Sequence, residues 1–304
     1  MKLTDISTIR ALLGEEQTSF KKKYGQNFLT NEKVIKDIAS GCLPSGVPGT
    51  DCGVLEIGPG IGVLTAELCR VARKVVAVEI DSSLLPILDK TLAEFDNVSV
   101  INSDIMKTDL TALVSEHFSD CAHFVVAANL PYYITTPILM RLLESRERFE
   151  AITVMVQKEV ADRLCALAGS PVYGAVTASV SYYAKVTKLM NVSAGNFIPA
   201  PKVDSAVVKL TLYNEPPVSV KSEETFFKVI KGAFGQRRKT LPNALSSEFS
   251  HISRARIAEL VSTAGYDPKV RGETLDISDF AAISDLLYAE ISKKTNDNTE
   301  EDNI

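Results

Sequence analysis

Asn129-Leu130-Pro131-Tyr132 places an amide, a backbone without an N–H and an aromatic in four consecutive positions. The Asn129 carboxamide and the carbonyl of Leu130 or Pro131 can accept hydrogen bonds. Pro131 shapes the backbone without a donor of its own, and Tyr132 offers a stacking face. Together they suit a flat base carrying an amino group. Alone, the four residues read more simply as a strand-to-helix turn with a core tyrosine. Three upstream features change that balance. Glu56-Ile57-Gly58-Pro59-Gly60-Ile61-Gly62 follows an apolar run and precedes a helix-forming one, and glycines there let a ligand approach the backbone. Val63 stands where a dinucleotide fingerprint needs its third glycine, which counts against a nicotinamide or flavin site; a ligand-free turn is the other reading. Glu79, 21 residues after Gly58, can accept from both hydroxyls of a ribose. Asp104 can accept from an adenine amino group between the apolar walls Ile80 and Ile105. Either acid alone reads as a cap or a surface charge. Successive apolar runs ending in Gly-x-Gly, acid and acid point to an adenosyl ligand, with the Asn129 turn presenting a second base beside it.

Such a site needs elements that end at a common edge. Short apolar strands are expected at Val54–Ile57, Val75–Val78, Val98–Ile101, Phe124–Ala128 and Ala151–Val156. Helices are expected at Glu32–Ser40, Val63–Val71, Ser82–Glu94, Thr108–His117, Thr135–Leu143 and Lys158–Leu167, and from the loop after Tyr173 to Ala184. Strands alternating with helices imply an α/β fold with a parallel sheet covered on both faces. Val186–Val192 and Ser205–Tyr213 close it, the second alternating in a way that suits an antiparallel partner. Met1–Gly14 reads as an amphipathic helix. Beyond Glu215-Pro216-Pro217 the pattern is helical, at Glu223–Phe234, Thr240–Phe249, Ser253–Ala264 and Ile277–Ile291. The expected divisions are an N-terminal arm (1–30), a sheet domain (31–214), a small helical domain (215–292) and a polar acidic tail (293–304) expected to be disordered.

The 304 residues, 45% hydrophobic, suffice for a large and a smaller core. No apolar run reaches membrane-spanning length, and Met1–Gly14 lacks a signal core, so a cytoplasmic protein is expected. Five scattered cysteines and three scattered histidines predict neither disulfides nor a metal. Net charge is −5, but the tail Thr295–Ile304 holds four acids and no base, leaving −1 for the rest. From Lys202 to Gly272 there are 12 Lys/Arg against 7 Asp/Glu, a local excess of +5 suited to phosphate contact.

In these motifs the sequence resembles the S-adenosylmethionine-dependent ribosomal RNA adenine dimethyltransferases, the KsgA (RsmA) group. The resemblance spans roughly Phe20 to Ile291. It rests on Gly25-Gln26-Asn27-Phe28-Leu29, Glu56 to Gly62, Val78-Glu79-Ile80-Asp81 and Asn129 to Tyr132. Asn196-Phe197-Ile198-Pro199-Ala200-Pro201-Lys202-Val203-Asp204-Ser205 and Ala233-Phe234-Gly235-Gln236-Arg237-Arg238-Lys239-Thr240-Leu241 complete it. It implies a Rossmann-like class I methyltransferase sheet, mostly parallel with an antiparallel last strand. The implied cofactor set is Gln26, Asn27, Leu29, Gly58, Gly60, Glu79, Ile80, Asp104, Ile105 and Asn129. Asn27 and Leu29 would close over the cofactor, and Asn129 would touch both cofactor and target. Tyr132 and Phe197 would stack the two faces of the extruded base, although Phe197 also reads as a core aromatic. Lys22, Lys23, Lys202, Arg237, Arg238 and Lys239 are the candidate RNA contacts; the bland reading of the basic runs is a solvated face. The implied reaction is N6-dimethylation of two adjacent adenosines near the 3′ end of 16S ribosomal RNA, by a monomer without metal. The rivals are a large-subunit enzyme conferring antibiotic resistance and an assembly factor that acts mainly by binding; a checkpoint role alongside catalysis is also implied.

Overall fold

The computed structural model describes residues 1–15, 27–145, 147 and 149–301. The chain forms two compact units. Met1–Ala161 with Lys185–Leu212 makes the first, and Asp162–Ala184 with Tyr213–Ile304 the second.

In the first unit, α1 (Ile6–Glu15) is followed by a short strand β1 (Phe28–Leu29) and α2 (Glu32–Cys42). Asn31 caps α2, its side chain accepting from the backbone N–H of Lys33 and Val34. The strands β2 (Cys52–Ile57), β3 (Lys74–Glu79), β4 (Val98–Asn102), β5 (His123–Asn129) and β6 (Ala151–Gln157) then alternate with α3 (Val63–Val71), α4 (Leu85–Thr91), α5 (Leu110–His117) and α6 (Thr135–Glu144). After α7 (Lys158–Leu164) and α8 (Ala175–Tyr183), the chain forms β7 (Ala184–Val192), a two-residue strand β8 (Phe197–Ile198) and β9 (Ser205–Leu212). The main sheet has the order β4-β3-β2-β5-β6-β9-β7. Its first five strands are parallel, and β9 runs antiparallel to β6. β2 and β6 are buried at nearly every position, which explains why they are largely apolar without alternation, Glu56 and Thr153 apart: a strand covered on both faces has no polar side to alternate with.

The connections run outward from β2 through β3 to β4, then return to β5 on the other side of β2. β2 and β5 therefore flank the point where strand order reverses, the place where open α/β sheets leave a crevice beyond their carboxyl ends. Register aligns the ends. Ile57 pairs with both Val78 and Ala128, and Glu79 pairs with Asn102. Gly58, Glu79, Asn102 and Asn129 consequently lie at one level of the sheet.

Two expectations about secondary structure in this unit change. The helix expected over Ser82–Glu94 divides into a 3₁₀ turn at Ser82–Leu84 and α4, with Pro86 in its first turn. The strands β1 and β8 pair with each other, Phe28 with Ile198 and Leu29 with Phe197, a ribbon the sequence pattern did not disclose.

The second unit is helical: α7 from Asp162 onward, α8, α9 (Glu223–Gly235), α10 (Leu241–Leu245), α11 (Arg254–Thr263) and α12 (Ile277–Glu301). The sequence reading assigns α8 to the sheet domain, but its buried side chains join this helical core. Tyr182 packs its ring against Phe226 and Phe227, with centroids 5.1 and 5.4 Å apart. α12 continues through most of the segment expected to be a disordered tail.

Candidate active site

A cavity opens at the carboxyl ends of β2 to β5 in the first unit, with about 1170 Å³ of atom-free space counting its mouth. The Gly58 turn, Glu79 and Asp104 line one part, and the Asn129–Tyr132 turn another. Asn27, Leu29 and Phe197 line it from the β1–β8 ribbon and the residue before it. The residues that the sequence assigns to cofactor and target thus share one space. Gln26, Lys22 and Lys23 lie outside the described residues.

Gly58 has φ +71°, and a Cβ built there would meet no atom within 4 Å. Its open side leaves bare backbone that a ligand can approach. Gly60 has φ +62°, and a Cβ there would come within 3.0 Å of the Phe28 ring, so this glycine is required by the ribbon beside it. The Gly60 N–H donates to Glu79 Oε2 at 3.2 Å, and the Asp81 N–H donates to Oε1 at 2.8 Å. Glu79 is therefore oriented by backbone on two sides while each oxygen keeps a lone pair for a hydroxyl donor. Burial pushes its carboxyl above the ordinary range, and the two N–H bonds oppose that shift.

Asp104 closes its own loop. Oδ1 accepts the Met106 N–H at 3.0 Å; Oδ2 faces the Lys107 ammonium at 3.9 Å, beyond hydrogen-bond distance, and can still accept from a donor in the cavity. Ile80 is half-exposed, with 50% of its surface free, and lines the cavity; Ile105 is buried and lines it too. These are walls suited to a planar ring.

At the end of β5, the Asn129 Nδ2 donates to the Asn27 carbonyl at 3.3 Å. That bond sets the amide and leaves Oδ1 as an acceptor. The sequence left the backbone acceptor open between Leu130 and Pro131. The Pro131 carbonyl already accepts from the Ile134 N–H at 3.2 Å and the Thr135 hydroxyl at 3.1 Å, so the Leu130 carbonyl is the better candidate. Tyr132 is half-buried, and its hydroxyl bonds to Ser205 Oγ at 2.7 Å. Burial raises its phenol above the ordinary value. Phe197 is 6% exposed yet lines the cavity, so it is a core aromatic with one margin on the site. The ribbon holding it is tied by the Thr30 N–H to the Asn196 carbonyl at 2.9 Å and by the Asn31 amide to Asn196 Oδ1 at 2.8 Å.

Sequence reasoning missed two residues here. Ser205 anchors Tyr132 through a bond across 73 positions, and no local pattern announces such a pair. Glu56 lines the cavity at 1% exposure, and its Oε2 finds no hydrogen-bond partner among the described residues. Burial pushes its carboxyl up to about 8. An acid beginning the glycine motif was legible, its isolation was not. The open Gly58 face, the two Glu79 acceptors and the Ile80 and Ile105 walls in one cavity fit a ligand with an adenosyl part. Among the described residues no group of three or more His, Cys, Asp or Glu could hold a metal ion.

The basic candidates lie elsewhere. Lys202 is exposed between β8 and β9 and does not line the cavity. Arg237, Arg238 and Lys239 occupy the turn between α9 and α10, just before the helix expected to start at Thr240. α10 starts only at Leu241, because Thr240 is extended and Pro242 belongs in a first turn. Arg237 Nη2 donates to the carbonyls of Pro171 and Tyr173 at 3.2 and 3.1 Å, and its Nε lies 3.5 Å from Glu273. Arg238 and Lys239 are exposed.

The family model described as "Ribosomal RNA adenine dimethylase" matches residues 17–287. The "Ribosomal RNA small subunit methyltransferase A" of Geobacillus thermodenitrificans is 46% identical over 288 residues, 93% of this chain and 97% of that protein. The protein of the same name from Staphylococcus aureus is 46% identical, covering 91% and 93%. Among solved structures, a dimethyladenosine transferase from Plasmodium falciparum superposes with TM-score 0.70 at 27% identity, over 84% of this chain and 95% of that one. The 23S rRNA methyltransferase ErmE superposes with TM-score 0.63 at 26% identity, over 86% and 99%.

Proposed function

The chain belongs to the ribosomal RNA adenine dimethylase family, and from that premise we propose that it dimethylates the N6 amino groups of two adjacent adenosines near the 3′ end of small-subunit ribosomal RNA. The observation that carries the reading is the meeting of the Gly58 turn and the Asn129 turn in one cavity at the sheet's reversal point. Small-subunit specificity is supported by the 46% identity to relatives named for that subunit, against 26% to the 23S enzyme.

S-adenosylmethionine, when bound, supplies a methyl group on a sulfonium, which is the electrophile. Glu79 would hold its ribose, Asp104 Oδ2 its adenine amino group, with Ile80 and Ile105 against the ring, and the Gly58 backbone would lie along it. Asn27 and Leu29 would cover it, with Gln26 assigned to the same set.

Adenine's exocyclic nitrogen is a poor nucleophile because its lone pair is delocalised into the ring. Asn129 Oδ1 and the Leu130 carbonyl would each accept one of its N–H bonds, favouring a pyramidal nitrogen with its lone pair turned outward. The gain is chiefly one of orientation and of hydrogen bonds that strengthen as charge develops on the amine. Tyr132, steadied by Ser205, would stack one face of the base and Phe197 meet the other. Its hydroxyl is engaged and its phenol raised, so Tyr132 is not assigned as a base; the amine proton leaves to water. Extruding the target base costs a few kcal/mol, less in single-stranded RNA, and stacking of roughly 1–3 kcal/mol per base offsets it. Arg238, Lys239 and Lys202 are the proposed phosphate contacts, with Lys22 and Lys23. We further assign a monomer acting in the cytoplasm; no helix among the described residues is long and apolar enough to cross a membrane.

The test incubates the protein with methyl-labelled S-adenosylmethionine and undermethylated small subunits, with large subunits as control. Label in small-subunit RNA is expected; label confined to large subunits overturns the assignment, and label in neither overturns the activity.

A further inference from the structure

Arg141 lies on α6, the helix that begins three residues after Tyr132, and none of the roles above uses it. Its guanidinium does not point to solvent. Nε donates to the Ile105 carbonyl at 3.0 Å and Nη2 to the Thr108 carbonyl at 2.6 Å. Both carbonyls belong to the loop that carries Asp104. Among the described residues, its other hydrogen bonds run within the loop and to the neighbouring strand. The N–H groups of Lys107 and Thr108 donate to the Asp104 carbonyl at 2.8 and 3.0 Å, the Thr108 hydroxyl does so at 3.0 Å, and the Ser103 N–H donates to the Glu79 carbonyl at 3.0 Å. Arg141 is the side chain joining the loop to the helix beyond the target turn. Thr135, one and a half turns earlier on the same helix, holds the Pro131 carbonyl at 3.1 Å. One helix thus grips the target turn at its first residue and the Asp104 loop at its seventh.

We propose that Arg141 is a positioning residue that fixes the Asp104–Ile105 loop for recognition of the cofactor's adenine and holds it in register with the turn that receives the target base. The proposal rests on the adenine role assigned to Asp104 above. The chemistry favours arginine. A planar guanidinium presents two N–H bonds in a rigid fork to two carbonyls at once, whereas a lysine ammonium is a point charge on a flexible stem. Charge-assisted bonds to backbone carbonyls hold a loop without competing for the carboxylate that does the recognising. The Arg141 cation sits on the loop's backbone, and the Lys107 ammonium, 3.9 Å from Asp104 Oδ2, is beyond hydrogen-bond distance of it, so Oδ2 can still accept a bond from the adenine amine.

The experiment is a double-mutant cycle on the full chain, read as the dissociation constant of S-adenosylhomocysteine by calorimetry. Asp104→Asn keeps the Oδ1 acceptor for Met106 but turns an amide donor towards the adenine amine, so it weakens binding by itself. Arg141→Met raises the dissociation constant roughly tenfold in the wild-type background and less than twofold in Asp104→Asn, because both act through one contact. Steady-state kinetics on RNA show the same split: the KM for S-adenosylmethionine rises while kcat stays within about threefold. Arg141→Lys, which can reach one carbonyl at a time, falls between, and it serves as the partner in the cycle if the methionine variant does not fold. An equal loss in both backgrounds, or a wild-type-like constant for the single variant, overturns the proposal while leaving the adenine assignment standing. Unchanged binding in Asp104→Asn alone overturns the adenine assignment, and this proposal with it.

Discussion

The strand-end site and the basic turn of the helical unit were both singled out from short runs of polar residues, yet they differ in what those residues do. At the strand ends, Gly58, Glu79, Asp104 and Asn129 line a single cavity and each keeps an unfilled acceptor or open face for a ligand. In the turn after α9, the first of three cations is already engaged: Arg237 binds two carbonyls and faces Glu273. A parallel sheet in register brings residues far apart in sequence to one edge whatever their neighbours are. A run of charge has no such geometry behind it. The local excess of +5 counts every cation alike, but the Lys209 ammonium donates to the carbonyls of Gly41 and Leu43 at the end of α2, at 2.8 and 2.6 Å. Arg256 is held by Glu290 and Glu259, both at 2.9 Å. Composition measures charge present, and only packing tells which of it faces a partner.

The contrast can be broken most readily at Asn129. Asn129→Ala removes an acceptor that strengthens as the amine becomes cationic, and kcat should fall on the order of 10²–10³-fold with a melting temperature near wild type. A loss confined to KM would reassign Asn129 to simple binding. Glu79→Ala comes next: losing bonds to both ribose hydroxyls should weaken S-adenosylhomocysteine roughly 10- to 100-fold, measured by calorimetry, and an unchanged constant would remove Glu79 from the cofactor set.

The basic turn predicts a smaller effect that separates its members. Arg238→Ala with Lys239→Ala should weaken RNA binding several-fold at low salt and lower the slope of log affinity against log salt by about 2. Arg237→Ala should instead destabilise the helical unit by about 1 kcal/mol, seen in urea melts, with little change in that slope. A slope lowered by about 1 in Arg237→Ala would return Arg237 to the RNA contacts.

Smallest is a pH effect at Glu56. Its folded carboxyl is raised to about 8, so between the ordinary carboxylate range and pH 8 the folded chain keeps a proton that the unfolded chain has lost. Stability from this group is fully present below the unfolded value and is lost as pH rises through the folded one. Glu56→Gln should therefore melt level with wild type near pH 4.5 and a few degrees above it at pH 8.5. Parallel curves across that range would mean that Glu56 is ionised in the folded protein.

Much of this site was readable because its residues end elements whose patterns are strong. The five apolar strands and the Gly58, Glu79 and Asp104 positions follow from local chemistry. What escaped depends on distant partners. β1 and β8 are two residues long and acquire their structure only by pairing with each other. Ser205 matters through Tyr132, and Arg141 through carbonyls 33 and 36 positions away. The choice of α8's unit was hidden for the same reason, since Tyr182 finds Phe226 only in three dimensions.

The central claim is that the Asn129 turn presents two adjacent adenosines of small-subunit RNA, in succession, for double methylation. Nuclease digestion of small-subunit RNA after reaction, followed by mass spectrometry of the 3′ fragment, tests it most directly. The account predicts two neighbouring N6,N6-dimethyladenosines with wild-type protein and none with Asn129→Ala. Monomethyladenosine alone, or modification of large-subunit RNA in its place, would contradict it.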